Sequence, residues 1–294
     1  MNVMHRVEAI AARAALALVR AVSPAAASNI GGAVARAIGP LLPVSRVADK
    51  NLSRAMPDLD APARRRVIRG VWDNLGRTVA EIPHVGGLRR TEFGPGWEIN
   101  PEGAELMRDL AKRRGPVLFF SGHLGNWELL PVVSASFGVE LAIFYRAAKN
   151  VEVDGILNDL RANGGGGKMF AKGAAGARGA LRHLAEGGAL AMLVDQKMND
   201  GIAVPFFGRP AMTAPALAAL ALRFRCPVIP AYTQRIGPAR FRVIAEPPLA
   251  LPDTGSRAEA ISEVMEAVNA RLEAWIRASP QSWLWLHRRW PNDL

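Results

Sequence analysis

The 294-residue chain holds a single cysteine, Cys226, so it can form no intrachain disulfide, and nothing in it argues for an oxidising compartment. A lone thiol inside "RFRCPVIP" reads as a small core residue rather than a nucleophile. Histidines stand at positions 5, 84, 123, 183 and 287, none at His-x3-His spacing, and with no second cysteine the sequence calls for no metal and no cofactor. The two tyrosines and the lack of an RNA- or DNA-binding signature argue against a nucleic-acid partner. No Gly-x-Ser-x-Gly elbow occurs, so a serine-nucleophile enzyme is not indicated. The run "ANGGGGKMF" falls short of a phosphate loop, because Ala162 stands at the first glycine position and Met169 follows Lys168. Nor does any uncharged stretch near the N-terminus reach the ~18 to 20 apolar residues of a spanning helix.

What remains is a chain whose 50% hydrophobic content can bury a large core and whose net charge is +11. The basic excess is concentrated early: Met1 to Arg90 carry fourteen Lys/Arg against six Asp/Glu, a local balance of +8. Such a surface suits anionic lipid, nucleic acid or an acidic carrier protein, and composition does not choose among them. Within "AIAARAALALVRAVSPAAAS", which is apolar like the middle of a signal peptide, Arg13 and Arg20 interrupt the run. With Arg6 they recur every seven residues, about 700° of helix, so three guanidinium groups share one stripe with Ala, Leu, Val and Ile around the rest. Two readings fit: a helix lying in a membrane interface, or an amphipathic helix packed on its own domain.

Residues 1–90 read as helices punctuated by Pro24, Pro40, Pro43, Pro57, Pro62 and Pro83, with Asp60 as the N-cap of the clearest one. From residue 91 onward the rhythm alternates. "PVLFFS", "LAIFYR", "ALAMLVD", "PVIPAYTQR" and "FRVIAEPP" read as buried strands between amphipathic helices. That order predicts an α/β fold, a mostly parallel or mixed central sheet flanked by helices with a helical N-terminal section, divided as 1–90 and 91–294. In the helix "RAEAISEVMEAVNARLEAWIRAS", Ile261, Val264, Met265, Val268, Leu272, Trp275 and Ile276 form a stripe that packs on the sheet.

The stretch "FFSGHLGNWELLP" places His123 at a strand's carboxyl end, where open α/β sheets bind ligands, and Glu128 five residues later. Five helical steps turn about 500°, so the two side chains can meet only across a turn, which Gly122 and Gly125 permit. Glu128, in the first turn of a helix beginning near Asn126, is then expected to reach one imidazole nitrogen, fix the tautomer and strengthen the other nitrogen as a base. Without a nucleophilic serine, the base would act on a hydroxyl brought by the substrate. The plainer alternative is a satisfied core histidine beside a helix-start carboxylate.

The motif "HLGNWE", followed in order by "FYR", "LVDQ", "VPFFG" and "PQSWLWLHRRW" over about residues 115 to 290, resembles the late acyltransferases of lipid A biosynthesis, a branch of the lysophospholipid acyltransferase superfamily. The Phe-Pro-Glu-Gly-Thr-Arg block of the phospholipid-making members is absent. The resemblance implies His123 as general base with Glu128 as partner, and Arg161, Asp195, Arg146, Gln196 and Asn126 as substrate-binding or transition-state residues. Chemically, the guanidinium groups of Arg146 and Arg161 suit a glycolipid phosphate or a developing oxyanion, and Asp195 at a strand end suits a sugar or an arginine, while the glycine run beside Arg161 points to a mobile loop there. The resemblance further implies acyl carrier protein as donor, a membrane glycolipid hydroxyl as acceptor, an anionic membrane surface, and a place on the cytoplasmic face of the bacterial inner membrane, peripheral or N-terminally anchored. Members of that branch commonly begin with a spanning helix, and here Arg13 and Arg20 depart from it. Another glycolipid, a phosphoinositide or an aminolipid is the rival acceptor, and a lipid-binding surface protein without catalysis is the rival class. The closing "SWLWLHRRW" fits either an interfacial belt or a tryptophan-rich end packed on the sheet.

Overall fold

A computed structural model describes residues 3–145, 147–148, 150–253 and 255–290. The helical section comprises α1 (Val3–Arg20), α2 (Pro24–Ile38), α3 (Ser45–Ala55) and α4 (Ala61–Val85). Asp60 caps α4 by accepting from the Ala63 N–H at 2.7 Å. Pro83, expected to end this helix, lies inside its last turn, and the helix continues to Val85. Gly31 on α2 and Gly76 on α4 bring the two helices into backbone contact: a Cβ on Gly31 would stand 2.4 Å from the Gly76 carbonyl oxygen.

The body follows as β1 (Gly96–Ile99), α5 (Pro101–Lys112), β2 (Val117–Ser121), α6 (Leu130–Ser136), β3 (Leu141–Tyr145), α7 (Val151–Asn163), β4 (Met169–Ala171), α8 (Ala174–Ala185) and β5 (Ala189–Leu193). A hairpin of β6 (Ile202–Phe206) and β7 (Arg209–Thr213) precedes α9 (Ala216–Phe224), β8 (Val228–Gly237), β9 (Arg240–Ala245) and α10 (Arg257–Ala278). Among the described residues the strands make a seven-stranded sheet in the order β1-β9-β8-β2-β5-β3-β4, parallel except where β8 meets β9. The fold is the α/β class that the alternation predicted.

Alternation along the strands assigns one apolar core to each face of the sheet. Leu118, Phe120 and Leu190 face a core shared with α3, α4, α9, α10 and the C-terminal tryptophans. Val117, Phe119 and Leu141 face a second core under α5 and α6. On α10, Val264, Met265, Val268, Leu272, Trp275 and Ile276 are buried, as the stripe required. Trp283, Trp285 and Trp290 are also buried, so the tryptophan-rich end packs inward rather than forming a surface belt.

On α1, Ala9 is buried and His5, Ala12, Leu16 and Val19 are partly covered, one face at helical spacing, while Met4, Val7, Ile10 and Leu18 are exposed. One side of the helix therefore packs on the rest of the protein, and the other presents apolar side chains outward. Among the described residues no helix is long and apolar enough to cross a membrane. Leu190 is fully buried on β5 beside the central strand. Leu190→Ala is expected to cost about 2–5 kcal/mol, read as a lower urea midpoint with unchanged slope.

Candidate active site

The parallel pairing of β2 with β5 joins Val117 to Ala189 and ends with Ser121 opposite Leu193. The same register carried two residues further sets His123 opposite Asp195. That carboxylate accepts from His123 Nδ1 (Oδ1, 2.8 Å), from the His123 backbone N–H (Oδ2, 2.8 Å) and from Trp283 Nε1 (Oδ2, 2.7 Å). Asp195 is fully buried. It thus occupies the place the sequence reading gave to Glu128, and its oxygens are engaged by the protein rather than turned to a sugar or an arginine.

Burial alone would raise the Asp195 pKa, but the charge and hydrogen bonds of His123, helped by His287, hold it well below the usual carboxylate range. Burial likewise opposes protonation of His123; the Asp195 charge and hydrogen bond, with the Glu128 charge, outweigh it and raise the imidazole above its ordinary value. An ionised carboxylate can only accept, so Nδ1 carries the hydrogen and Nε2 carries the free lone pair of the neutral ring. The ring of Trp127 stands edge-on to the imidazole with centroids 4.9 Å apart.

Glu128 lies in a 3-10 turn, Trp127–Leu129, that leads into α6 and is capped by Asn126, whose Oδ1 accepts from the Glu128 N–H at 3.2 Å. Glu128 makes no hydrogen bond to the imidazole. Its carboxylate instead accepts a guanidinium fork from Arg161, Nε to Oε2 at 2.8 Å and Nη2 to Oε1 at 2.6 Å. That hydrogen bonding raises the Arg161 pKa against the opposing effect of burial. Arg161 sits in the last turn of α7, not in a loop, and Asn150 caps the other end of that helix through the Glu152 and Val153 N–H groups. Among the described residues α7 has no fully buried side chain. It is tied down by polar bonds, including Tyr145 Oη to Asp154 Oδ2 at 3.0 Å and Asn150 Nδ2 to the His5 carbonyl at 2.9 Å on α1.

His123, Glu128, Arg161 and Gln196 line a cavity of about 600 Å³ at the carboxyl ends of β2, β3 and β5. Phe119 and Phe120 both line it, and consecutive strand residues point to opposite faces, so the cavity reaches both sides of the sheet. Under α5 it extends to Ile99, Met107 and Val243. Asn126 does not face this space: it is fully buried, with its amide engaged by Glu81 and by the Glu128 N–H. Arg146 lies outside the described residues. Among the described residues no cluster of His, Cys, Asp or Glu could hold a metal ion.

Sequence reasoning singled out Asp195 but not its hydrogen bond to His123. The available signal was that each polar residue closely follows an apolar strand, in "FFSGH" and "AMLVD"; the shared register appears only in the folded sheet. The contribution of Trp283, 160 residues from His123 in sequence, had no local signature.

The family model described as bacterial lipid A biosynthesis acyltransferase matches residues 3–292, nearly the whole chain. The chain belongs to this family. No curated protein matches it. As a lipid A biosynthesis acyltransferase, the chain carries its buried Asp195–His123 pair at the ligand-binding edge of the sheet. Followed by NMR, the His123 imidazole is expected to titrate above the ordinary value of about 6.5, and Asp195→Asn should lower its pKa because burial is then opposed by less negative charge.

Proposed function

We propose that this acyltransferase moves a fatty acyl group from the thioester of acyl carrier protein to a hydroxyl of a lipid A precursor, with His123 as the general base. The observation that carries the reading is an imidazole whose Nδ1 is fixed by a buried carboxylate at the edge of a large, mainly apolar cavity. Nε2 takes the acceptor's proton as its oxygen attacks the thioester carbonyl. The tetrahedral oxyanion is stabilised by guanidinium N–H groups of Arg161 that Glu128 leaves free. As the C–S bond breaks, the imidazolium returns the proton to the departing thiolate, so protons balance. In this scheme Asp195, rather than Glu128, orients the base; Glu128 holds Arg161 and adds negative charge that favours the imidazolium.

The apolar reach of the cavity between Ile99 and Met107 suits an acyl chain, and Lys172, Gln196 and Lys197 supply polar groups where it opens. The basic surface favours an acidic carrier protein and anionic lipid. The outward apolar residues Val7, Ile10 and Leu18 of α1, flanked by Arg6, Arg13 and Arg20, support peripheral attachment to the cytoplasmic face of the bacterial inner membrane.

Purified protein incubated with a panel of acyl-carrier-protein thioesters and lipid A precursors, phosphoinositides and aminolipids tests the reaction by mass spectrometry. A lipid A precursor heavier by one acyl chain is expected, and gain on another amphiphile alone would overturn the acceptor. His123→Ala should lose about 10²–10⁴-fold in turnover while circular dichroism shows the chain still folded. The alkaline-favoured limb of kcat/KM should follow the raised His123 pKa, because only the neutral ring accepts a proton. Ile10→Glu with Leu18→Glu is expected to weaken co-flotation with anionic vesicles, while retained flotation would reject α1 as the attachment face.

A further inference from the structure

A second buried charge lies behind the turn that carries His123. Glu81 on α4 is fully buried and accepts from Arg235 Nη1, from Asn126 Nδ2 at 2.9 Å and from the Ala239 N–H at 3.3 Å. Arg235 also donates to Asn74 Oδ1 at 3.1 Å and Thr78 Oγ1 at 3.2 Å, and its guanidinium lies over the Phe241 ring at 4.8 Å. Asn74 and Thr78 then hold the Gly125 carbonyl, at 3.0 and 2.9 Å. None of these α4 groups lines the cavity.

The decisive link is the amide of Asn126. A carboxylate can only accept, so Glu81 forces Nδ2 towards itself and Oδ1 towards the Glu128 N–H. With the amide reversed, an NH2 would meet that N–H, and the cap on the Glu128 turn would be lost.

We propose that Glu81 is a positioning residue for the catalytic turn, acting through the orientation of Asn126, which in turn places Glu128 and the Arg161 fork beside His123. The Glu81–Arg235 pair supplies the fixed charge that makes this orientation one-way. An apolar filling of the same site would pack α4 on the sheet but would leave the amide free to turn.

Exchanging the two groups tests the direction of the bond. Glu81→Gln puts a donor against Asn126 Nδ2, and Asn126→Asp puts two buried carboxylates face to face. In the Glu81→Gln/Asn126→Asp double variant the introduced amide can donate to one oxygen of the introduced carboxylate, whose other oxygen keeps the cap, and the net charge is unchanged. The kinetic arm rests on the acyl-transfer reading; hydrogen exchange of residues 122–129 does not. Each single variant should lower kcat by about tenfold or more with KM within about twofold, and the double variant should turn over about tenfold faster than Asn126→Asp. Exchange at 122–129 should rise in each single variant and fall back in the double, with β5 unchanged. Single variants with wild-type kcat and exchange, or a double variant no better than the worse single, would overturn the proposal. If a single variant does not fold, Asn126→Ala, which leaves the Glu81–Arg235 pair intact, is read instead: faster exchange at 122–129 supports the link, and unchanged exchange rejects it. Wild-type protein without turnover would sink the acyl-transfer reading, leaving exchange to decide the positioning role.

Discussion

The register of one parallel strand pair determines where the chemistry can sit. Because β2 and β5 run in step, the residues two places past their ends face each other, and those residues are His123 and Asp195. A carboxylate with no exposure persists as an anion only if its oxygens are filled, and here they are, by the imidazole, a backbone N–H and the Trp283 indole. Supplying that indole commits the C-terminal segment. Its backbone meets the same turn, with the Leu284 N–H on the His123 carbonyl and the Gly125 N–H on the Ser282 carbonyl, while Asn51 on α3 holds the Trp285 and His287 carbonyls from the other side. The closing tryptophans are therefore structural supports of the histidine.

Three carboxylates gather round the turn, and their partners differ in kind. Glu81 is matched by Arg235 and Glu128 by Arg161, two guanidinium groups that stay charged throughout the physiological range. Asp195 is matched by an imidazole, whose charge can change near neutrality. The fixed pairs hold geometry, and the titrating pair is left as the place where a proton can move. A negative charge on Glu128, though it forms no hydrogen bond to the ring, still biases that proton.

The α/β class, the buried α10 stripe and the cap on α4 were legible because periodicity and capping are local properties. Glycine-rich and short segments were not: β1 and β4 carry too few residues to establish alternation, Pro205 and Pro210 argue against strands where the β6–β7 hairpin forms, and α7 has no buried stripe to reveal it. Among the residues singled out in the sequence, the hydrogen-bonded pairs differ from those that spacing suggested. Spacing along the chain favoured His123 with Glu128, five residues apart, whereas the partner is 72 residues away and is selected by strand register. Arg161 had no visible reason to seek Glu128 until α7 placed it there. Asn126 looked like a polar residue at a site and proves to be a buried bracket behind one.

The cavity has its own origin in composition. Strands buried on both faces ordinarily fill them with Val, Ile and Leu, yet the lining positions on β5, β8 and β9 include Ala191, Ala231 and Ala245, with Ala177, Ala214 and Ala216 on neighbouring segments. Larger residues such as Met192, Leu193 and Val243 line the space too, so the alanines open part of a wall that is otherwise filled. A dry void of this size would be prohibitive at about 24 cal/mol per Å³, and this one opens beside the exposed Gln196 and Lys172. The fold forgoes apolar burial in the space next to His123. An apolar chain entering there would restore the missing contacts, so under the proposed acyl transfer the cost in stability and the means of binding a fatty chain would be the same feature.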